Sequence, residues 1–359
     1  MQSAVKVLMV VDFRKADPFN ISGVAYHRLV IPYINLAKKY PVEVHQINEI
    51  DSKNIDLKDF QLVVFSRVLS NYGRDEEVLA ALQKARIPFI VDVDDFWRLP
   101  PTHLVKLHWD HYRMPRRVKM ALKHATVVTT TTSHLAAQVK CINKNVYVLP
   151  NAIDPEQPQF IPRPVPSGQV RVGWVGGICH TDDIPLLEKG FQQLYADEPL
   201  YSKYKVKLGG FNPVNLDVWA YYEHIFTAGK SRPHYERLPA MDIRQYATMY
   251  NQLDVCLVPL EDTPFNRCKS PLKLLEAGWF KKACVVSELY PYTVMGRHRE
   301  NVLFVKNNKT DWYKHVKKLI QNPALREDLG NSLYETVKQD YVIDKVNERR
   351  WEVVERAAR

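Results

Sequence analysis

Short apolar runs alternate with longer segments in which apolar residues recur at helical spacing, over most of the chain. The runs are rich in valine, isoleucine and leucine and are typical of buried strands, whereas the longer segments are typical of amphipathic helices. Strands are predicted at 5–13, 42–47, 62–67, 88–95, 125–131, 146–151, 170–177, 205–210, 255–260, 283–289 and 301–305. Strands that alternate with helices form parallel sheets with helices on both faces.

A proline-rich segment interrupts this alternation at residues 155–168. Five of its residues are prolines, which lack the amide N–H that a helix interior or a central strand requires. We expect a semi-rigid linker there, between an N-terminal domain (1–154) and a C-terminal domain (169–335). Residues 336–359 are expected to form a helix that packs back on the N-terminal domain. The predicted fold is α/β, with two doubly wound, Rossmann-like domains that face a central cleft.

Composition fits a globular protein of this size. Of its 359 residues 46% are hydrophobic and 25% are charged, which excludes a disordered chain, a collagen-like fibre and a coiled coil. No apolar run approaches the roughly 20 residues of a membrane span, and the N-terminus lacks a signal-peptide pattern. The five cysteines are scattered and form no CxxC pair, so we expect a cytoplasmic protein without a zinc site.

The net charge of +10 is concentrated in one region. Residues 101–150 contain eight lysines and arginines and one acidic residue, while the first 100 residues are neutral overall. His103, Arg113, Arg116 and Arg117 lie there among aromatic residues, which suits an anionic partner such as nucleic acid, a phospholipid surface or a phosphorylated acceptor. A solvated helix face that only keeps the protein in solution is the alternative.

A strand, a loop and a helix are predicted in succession near residues 255–278. The strand ends near Pro259, a polar loop follows, and Ser270 at the N-cap with Pro271 in the first turn begins the helix. The first amides of a helix have no partner within it and lie at the positive end of its dipole. This point of the chain can therefore bind a phosphate group.

Charged side chains surround this helix start. Lys269 precedes it and Lys273 lies one turn inside it, so both can neutralise a diphosphate. Glu276 follows Lys273 on the same face, where a carboxylate can bind the diol of a ribose. The alternative is a surface ion pair between Lys273 and Glu276, three residues apart.

This segment resembles the donor site of GT-B glycosyltransferases, especially the GT4-like group. The usual pattern is a glutamate, seven residues and then Glu-Ala, and Glu276-Ala277 match its second part. In that group the second glutamate binds the ribose of the nucleotide sugar, which the resemblance implies for Glu276. The first glutamate contacts the sugar, and Cys268 stands at its position. The variant in this chain resembles a divergent branch found in bacterial and phage genomes.

Two further segments fit the same resemblance. Residues 172–177 (VGWVGG) resemble the glycine-rich turn that lets backbone amides approach the diphosphate, and the nearby Asp182 and Asp183 are expected to cap the next helix. Residues 22–28 (SGVAYHR) resemble the glycine-containing loop of the acceptor domain. The donor-binding residues are then Gly176, Gly177, His180, Asn266, Lys269, Ser270, Lys273 and Glu276. The acceptor-binding residues are Gly23, Tyr26, His27, Asp95, His103, Arg113, Arg116 and Arg117.

Three carboxylates, Asp92, Asp94 and Asp95, end a predicted buried strand. Their mutual repulsion raises at least one pKa unless a cation or hydrogen-bond donors lie nearby. Asp92 and Asp94 could bind a metal ion, as in GT-A glycosyltransferases. In the GT4 pattern this strand ends in His-Asp and the histidine meets the sugar, so Asp94 becomes the candidate catalytic residue and Asp95 replaces the aspartate. Alternatively, Asp94 and Asp95 cap the next segment or pair with Arg98.

We therefore expect a hexosyltransferase that uses a nucleoside diphosphate sugar, with UDP as the favoured nucleotide, and an anionic acceptor. The GT4 resemblance implies retention of the anomeric configuration and no metal or other cofactor. The acceptor could be DNA with a modified base, or a saccharide at the inner membrane or cell envelope. No stable protein partner is expected. Because Cys268 and Asp94 depart from the family pattern, an inactive nucleotide- or nucleic-acid-binding module is the remaining alternative.

Overall fold

The computed structural model describes residues 4–11, 21–50, 56–69, 73–231, 234–307 and 311–359. Its strands are β1 (Val5–Val10), β2 (Val42–Ile47), β3 (Leu62–Ser66), β4 (Phe89–Val93), β5 (Val127–Thr130), β6 (Val146–Val148), β7 (Val170–Val175), β8 (Tyr204–Phe211), β9 (Tyr235–Pro239), β10 (Val255–Val258), β11 (Ala283–Ser287) and β12 (Leu303–Val305). Its α-helices are α1 (Gly23–Ala25), α2 (Ile31–Lys39), α3 (Asp75–Ala85), α4 (Lys106–His111), α5 (Met114–His124), α6 (Ser133–Lys140), α7 (Glu188–Ala196), α8 (Leu216–Phe226), α9 (Leu272–Trp279), α10 (Asp311–Gln321), α11 (Pro323–Asp340) and α12 (Ile343–Ala358). A π-helical segment, Tyr26–Val30, joins α1 to α2.

The strands form two six-stranded sheets, in the orders β2-β1-β3-β4-β5-β6 and β9-β8-β7-β10-β11-β12. All pairings within the two sheets are parallel. Strand order reverses beside β1 in the first sheet and beside β7 in the second. At such a switch point the helices on either side diverge and leave a crevice at the carboxyl ends of the strands. The predicted α/β fold with two Rossmann-like domains is confirmed.

Each sheet is covered on both faces. Along β1, Leu8 and Val10 pack into one core cluster, and Val7 and Met9 pack into the cluster on the other face. Because side chains of a strand alternate between faces, an uninterrupted apolar run is what a strand covered on both sides requires. The second sheet separates its two core clusters in the same way.

The last helix packs against the first domain. Val354 of α12 is fully buried in the cluster that contains β1 and α2. The rings of Tyr40 and Trp351 stack with centroids 5.5 Å apart, and Lys39 forms an ion pair of 2.7 Å with Asp344. The preceding α11 extends to Asp340, so the predicted boundary at residue 336 falls inside that helix.

The sequence pattern predicted most strands a few residues too long and missed β9. Asp12 and Phe13, the predicted end of the first strand, lie outside the described residues. β9 is the edge strand of its sheet and carries Glu236 and Arg237, so it presents no apolar run. No helix in the described part of the chain has both the length and the hydropathy needed to cross a membrane.

Candidate functional site

The C-terminal sheet has its switch point between β7 and β10. Residues 176–183 follow β7, and residues 259–271 lead from β10 to α9. Both segments therefore lie at the carboxyl edge of the sheet, where open α/β sheets bind ligands. The donor-binding residues predicted from the sequence all belong to these two segments or to α9.

The turn after β7 requires glycine at position 176. A Cβ atom added there would lie 2.3 Å from the Trp174 ring and 2.8 Å from Nζ of Lys273. Lys273 donates a hydrogen bond of 2.7 Å to the Val175 carbonyl, and its Nζ lies 5.0 Å from the Trp174 ring centroid. Nothing lies within 4 Å of a Cβ added at Gly177, so space remains beside this glycine. The turn and Lys273 form one compact unit.

Two lysines converge near this turn. Burial and the neighbouring charge of Lys269 lower the pKa of Lys273 to about 8. Nζ of Lys269 lies 4.6 Å from the Phe265 ring centroid and 3.9 Å from Oδ1 of Asp95, across the cleft. A bound anion would relieve the repulsion between the two ammonium groups.

The start of α9 differs from the prediction. Ser270 is not the N-cap: α9 begins at Leu272, and Pro271 occupies the N-cap position without a side-chain hydrogen bond. Instead, Oγ of Ser270 accepts a hydrogen bond of 2.7 Å from Asn151 of the other domain. The amides of Leu274 and Leu275 both bond to the Pro271 carbonyl, so only the amides of the preceding two residues remain at the helix start.

Glu276 is buried with half of its carboxyl group unpaired. Its side chain is almost inaccessible, and Oε2 accepts a hydrogen bond of 3.0 Å from the Tyr250 hydroxyl. Oε1 has no partner, and no other carboxylate oxygen in the described part of the chain is both buried and unpaired. Burial raises the pKa of Glu276 well above its ordinary value. An unpaired buried acceptor is costly, and a hydroxyl donor from a ligand would satisfy it.

Asp183 connects the two segments of the crevice. Its Oδ1 accepts hydrogen bonds from the Glu261 amide (2.8 Å) and from Nδ2 of Asn266 (2.9 Å). Its Oδ2 lies 2.7 Å from Nδ1 of His180. The sequence predicted that Asp183 caps the next helix. That prediction is wrong, because both of its oxygens bind other groups. The side-chain amide of Asn266 also donates a hydrogen bond to the Glu261 carbonyl, so this side chain is held by contacts within the loop.

His180 is uncharged at neutral pH. Burial and the charge of Lys273 lower its pKa to about 4, and its ring stands edge-on to Trp174 with centroids 5.3 Å apart. Its backbone amide donates to the Tyr222 hydroxyl. The ring nitrogen that does not face Asp183 remains as a possible hydrogen-bond partner for a ligand.

The carboxylates after β4 differ in their surroundings. Both oxygens of Asp92 are occupied, by Arg28 at 2.9 and 2.8 Å and by the Thr129 hydroxyl at 2.7 Å. Asp92 is therefore a structural residue, and the alternative in which Asp92 and Asp94 bind a metal ion together does not fit these contacts. Oδ1 of Asp94 accepts from Arg67, with N–O distances of 2.8 and 2.6 Å. No cluster of three metal-binding side chains occurs among the residues that the structure describes.

Arg67 also reaches Asp95, at 3.4 Å, and Asp95 faces Lys269. A row of alternating charges, Asp94, Arg67, Asp95 and Lys269, thus crosses from the N-terminal domain to the C-terminal domain. Arg67 was not among the site residues predicted from the sequence. The available signal was its position at the end of β3, because neighbouring parallel strands end at the same edge of a sheet.

Other predicted acceptor residues lie where the domains meet. The rings of His103 and Phe265 stand edge-on with centroids 5.6 Å apart. His27 lies 3.5 Å from the Tyr246 hydroxyl, and a Cβ added at Gly23 would contact Ile243 at 3.4 Å. Burial and the adjacent Arg28 lower the pKa of His27 to about 4.

Tyr26 and Arg117, which the sequence placed among the acceptor-binding residues, make contacts inside the protein instead. Tyr26 is buried, and its hydroxyl bonds to Gln157 and Gln159 of the linker segment. Arg117 forms a largely buried ion pair of 2.6 Å with Asp75 of α3. Arg116 is exposed and pairs with Glu76 at 3.2 Å, and Arg113 is exposed at the start of α5. The structure thus assigns Tyr26 and Arg117 to internal contacts.

No protein-family model and no curated protein matches the sequence. Solved structures match it over almost its whole length. Sucrose-phosphate synthase from Thermosynechococcus elongatus aligns with a TM-score of 0.72 and 14% identity, covering 98% of each chain. A glycosyltransferase from Rickettsia africae aligns with a TM-score of 0.69 and 12% identity, covering 99% of each chain. HepE from Anabaena, in complex with UDP and glucose, aligns with a TM-score of 0.67 and 15% identity over 98% of this chain and 99% of HepE.

At these identities the likeness concerns architecture. Two of these three structures belong to enzymes whose names state glycosyl transfer or sugar-phosphate synthesis, and the third holds a nucleotide and a sugar. The strand order within the two sheets and the cleft between the domains agree with the resemblance drawn from residues 259–278. The chain therefore has the GT-B fold.

Proposed function

We propose that this protein is a glycosyltransferase that takes a sugar from a nucleoside diphosphate and transfers it to an acceptor bound on the N-terminal domain. The observation that carries the proposal is Glu276. Its unpaired, buried oxygen lies on the helix that starts at the switch-point crevice, one turn after Lys273. In the GT4-like pattern the glutamate at this position binds the ribose.

The diphosphate has a site of matching charge beside this glutamate. Lys269 and Lys273 supply two cations, and the turn at Gly176 and Gly177 and the start of α9 supply backbone amides. Negative charge develops on the diphosphate as its bond to the anomeric carbon breaks, so groups placed here stabilise the transition state. UDP is the nucleotide we favour, since the structure of HepE with the same fold contains UDP-glucose.

The acceptor approaches from the side of Asp94, Asp95 and His103. The acceptor oxygen bonds to the anomeric carbon, and its proton passes to the departing diphosphate in the retaining reaction that the GT4 resemblance implies. Asp94 is paired with Arg67, so we assign it to orienting the sugar. Asp95 and Lys269 face each other across the cleft and link the acceptor side to the diphosphate.

The donor site can be tested by thermal unfolding with a panel of nucleoside diphosphates. A ligand present at 100 times its Kd stabilises the folded protein by about 2.7 kcal/mol, which raises Tm by several degrees. One nucleotide should do so in the unmodified protein. Glu276→Gln keeps the side-chain volume and removes the carboxylate, so we expect about a tenfold or greater loss of nucleotide affinity.

Glu335→Gln is the matched control, because Glu335 is an exposed glutamate on α11 of the same domain. It should respond to the nucleotide as the unmodified protein does. If no nucleotide raises Tm, or if Glu276→Gln and Glu335→Gln respond equally, the proposed donor site is wrong.

A further inference from the structure

An exposed apolar segment lies next to the cleft, at residues 104–112. Within these nine residues the large apolar side chains that are exposed are Leu104 (43%), Val105 (38%), Leu107 (86%) and Tyr112 (43%). Single exposed apolar residues are common, but a cluster of this kind on a protein surface marks an interaction site.

The opposite side of this segment, which carries Trp109, contacts the N-terminal domain. Nε1 of Trp109 donates a hydrogen bond of 2.9 Å to the Trp97 carbonyl, and Arg67 lies over the Trp109 ring at 5.9 Å. These contacts fix the inner side of α4 against the N-terminal domain. Leu107, two residues earlier in the same helix, is consequently directed away from the domain and into solvent.

The surroundings of the apolar side chains are basic. Asp110 is the one acidic residue among residues 101–150, and it is paired with Lys106 within α4. Arg113 is exposed and has no ion-pair partner among the described residues, whereas Arg116 is exposed and pairs at 3.2 Å with Glu76, which is exposed too. The surface therefore combines exposed hydrocarbon with excess positive charge.

We propose that residues 104–116 dock on the surface of an anionic phospholipid bilayer. Arginine and lysine side chains bind the headgroups, and Leu104, Leu107 and Tyr112 enter the boundary between headgroups and acyl chains. Duplex DNA would attract the same cations through its phosphates. It offers no apolar layer for a leucine that is 86% exposed, so the observed mixture favours the bilayer.

The docking surface lies beside one entrance to the cleft. Thr102, just before the segment, donates a hydrogen bond of 2.5 Å to Asp182 of the other domain, and His103 packs on Phe265. A bilayer bound at residues 104–116 would lie beside this entrance to the cleft. The inference goes beyond the proposed transferase activity and does not depend on the donor assignment.

Vesicle sedimentation tests the docking surface. We expect the protein to sediment with vesicles of phosphatidylcholine mixed with phosphatidylglycerol and to stay in solution with pure phosphatidylcholine. Leu107→Ser should lower the partition coefficient about tenfold, because a leucine side chain no longer leaves water. Arg113→Gln should lower it about fivefold, because one basic residue near an anionic surface contributes about that factor.

Val214→Ser is the matched control, because Val214 is 84% exposed on the C-terminal domain. It should bind vesicles as the unmodified protein does, and thermal unfolding should show that all three variants fold. Equal sedimentation with neutral vesicles, or equal losses in Leu107→Ser and Val214→Ser, would overturn the proposal. So would binding to duplex DNA, in place of vesicles, that Arg113→Gln weakens and Leu107→Ser leaves unchanged.

Discussion

Lys273 lies in a buried position where its positive charge is energetically unfavourable. Its ammonium group lies against the Val175 carbonyl and the Trp174 ring, with Lys269 nearby, and its pKa falls to about 8. The lysine is thus mostly charged at pH 7 and mostly neutral at pH 9 in the unliganded protein. A diphosphate in the crevice favours the charged form and raises this pKa again.

Affinity for a nucleoside diphosphate sugar should therefore decrease as pH rises through 8. At pH 9 about one tenth of the free protein carries the charge on Lys273, so we expect an affinity about tenfold lower than at pH 7. Titration calorimetry at both values measures this change. Lys273→Met should bind weakly at both pH values, with a much smaller difference between them. An equal decrease in the unmodified protein and in Lys273→Met would show that another group titrates.

Residue types were easier to predict than their partners. The sequence predicts Lys269, Lys273 and Glu276 as candidate donor-binding residues, because their spacing relative to a strand and a helix start is local information. It does not show that the Ser270 hydroxyl bonds to Asn151, or that the Tyr26 hydroxyl bonds to the linker. Those partners are more than 100 positions away in the chain, and only the folded arrangement brings them together.

At the level of elements, a buried ion pair joins the π-helical segment to β4. Arg28 is 2% exposed and binds both oxygens of Asp92. The same guanidinium donates to the Leu149 carbonyl at 2.8 Å and to the Asn151 side chain at 3.1 Å. Asn151 in turn donates to Ser270, so this cluster links a central strand of one domain to residues 259–271 of the other.

Replacing Arg28 should therefore destabilise the fold strongly. Arg28→Met leaves Asp92 buried without its cation, and we expect a loss of about 3–5 kcal/mol in the free energy of unfolding. Asp92→Asn added to Arg28→Met should recover part of that loss, because it removes the buried charge. Urea denaturation measures the free energy of unfolding of the unmodified protein, of Arg28→Met and of the double variant.

Arg359→Met provides the comparison for an exposed ion pair. Arg359 pairs with Glu355 at 2.9 Å and is 71% exposed, so its loss should cost less than about 1 kcal/mol. A similar small cost for Arg28→Met would mean that Asp92 finds other donors when Arg28 is absent.

Helices and strands were predictable from the sequence where their buried residues form a regular apolar pattern along the chain. Strands covered on both faces appear as apolar runs, and eleven strands were predicted on that basis. β9 was missed because an edge strand has one side open to solvent, so its residues need not be apolar. Strand order was not predictable from the pattern, since the alternation of strands and helices is the same for every order. The crevice between β7 and β10 depends on that order.

On the scale of the whole molecule, the segment that leads from β10 to α9 (residues 259–271) reaches into the N-terminal domain. Cys268 is 1% exposed and belongs to a core cluster whose other members all come from the N-terminal domain, among them Leu135 and Val139 of α6. The position at which the GT4-like pattern has its first glutamate is therefore an apolar contact between the domains in this chain. Together with the contacts of Lys269 and Ser270, it holds the cleft closed at this point.

The reactivity of Cys268 should then report opening of the cleft. Burial raises the pKa of its thiol to about 12, so it reacts slowly while the domains are together. Cys256 and Cys284 are buried side by side within the second sheet and become accessible when that domain unfolds. We expect N-ethylmaleimide to modify Cys268 before these two cysteines, as followed by mass spectrometry.

The two exposed cysteines, Cys141 and Cys179, should be changed to serine for this experiment. A nucleoside diphosphate that binds across the cleft should slow modification of Cys268 and leave Cys256 and Cys284 unchanged, because it favours the closed arrangement. If the three cysteines react at one rate, Cys268 is exposed by unfolding alone, and the domains do not separate in the native protein. Faster modification of Cys268 that the nucleotide slows would instead mean that the cleft opens in solution and closes on the donor.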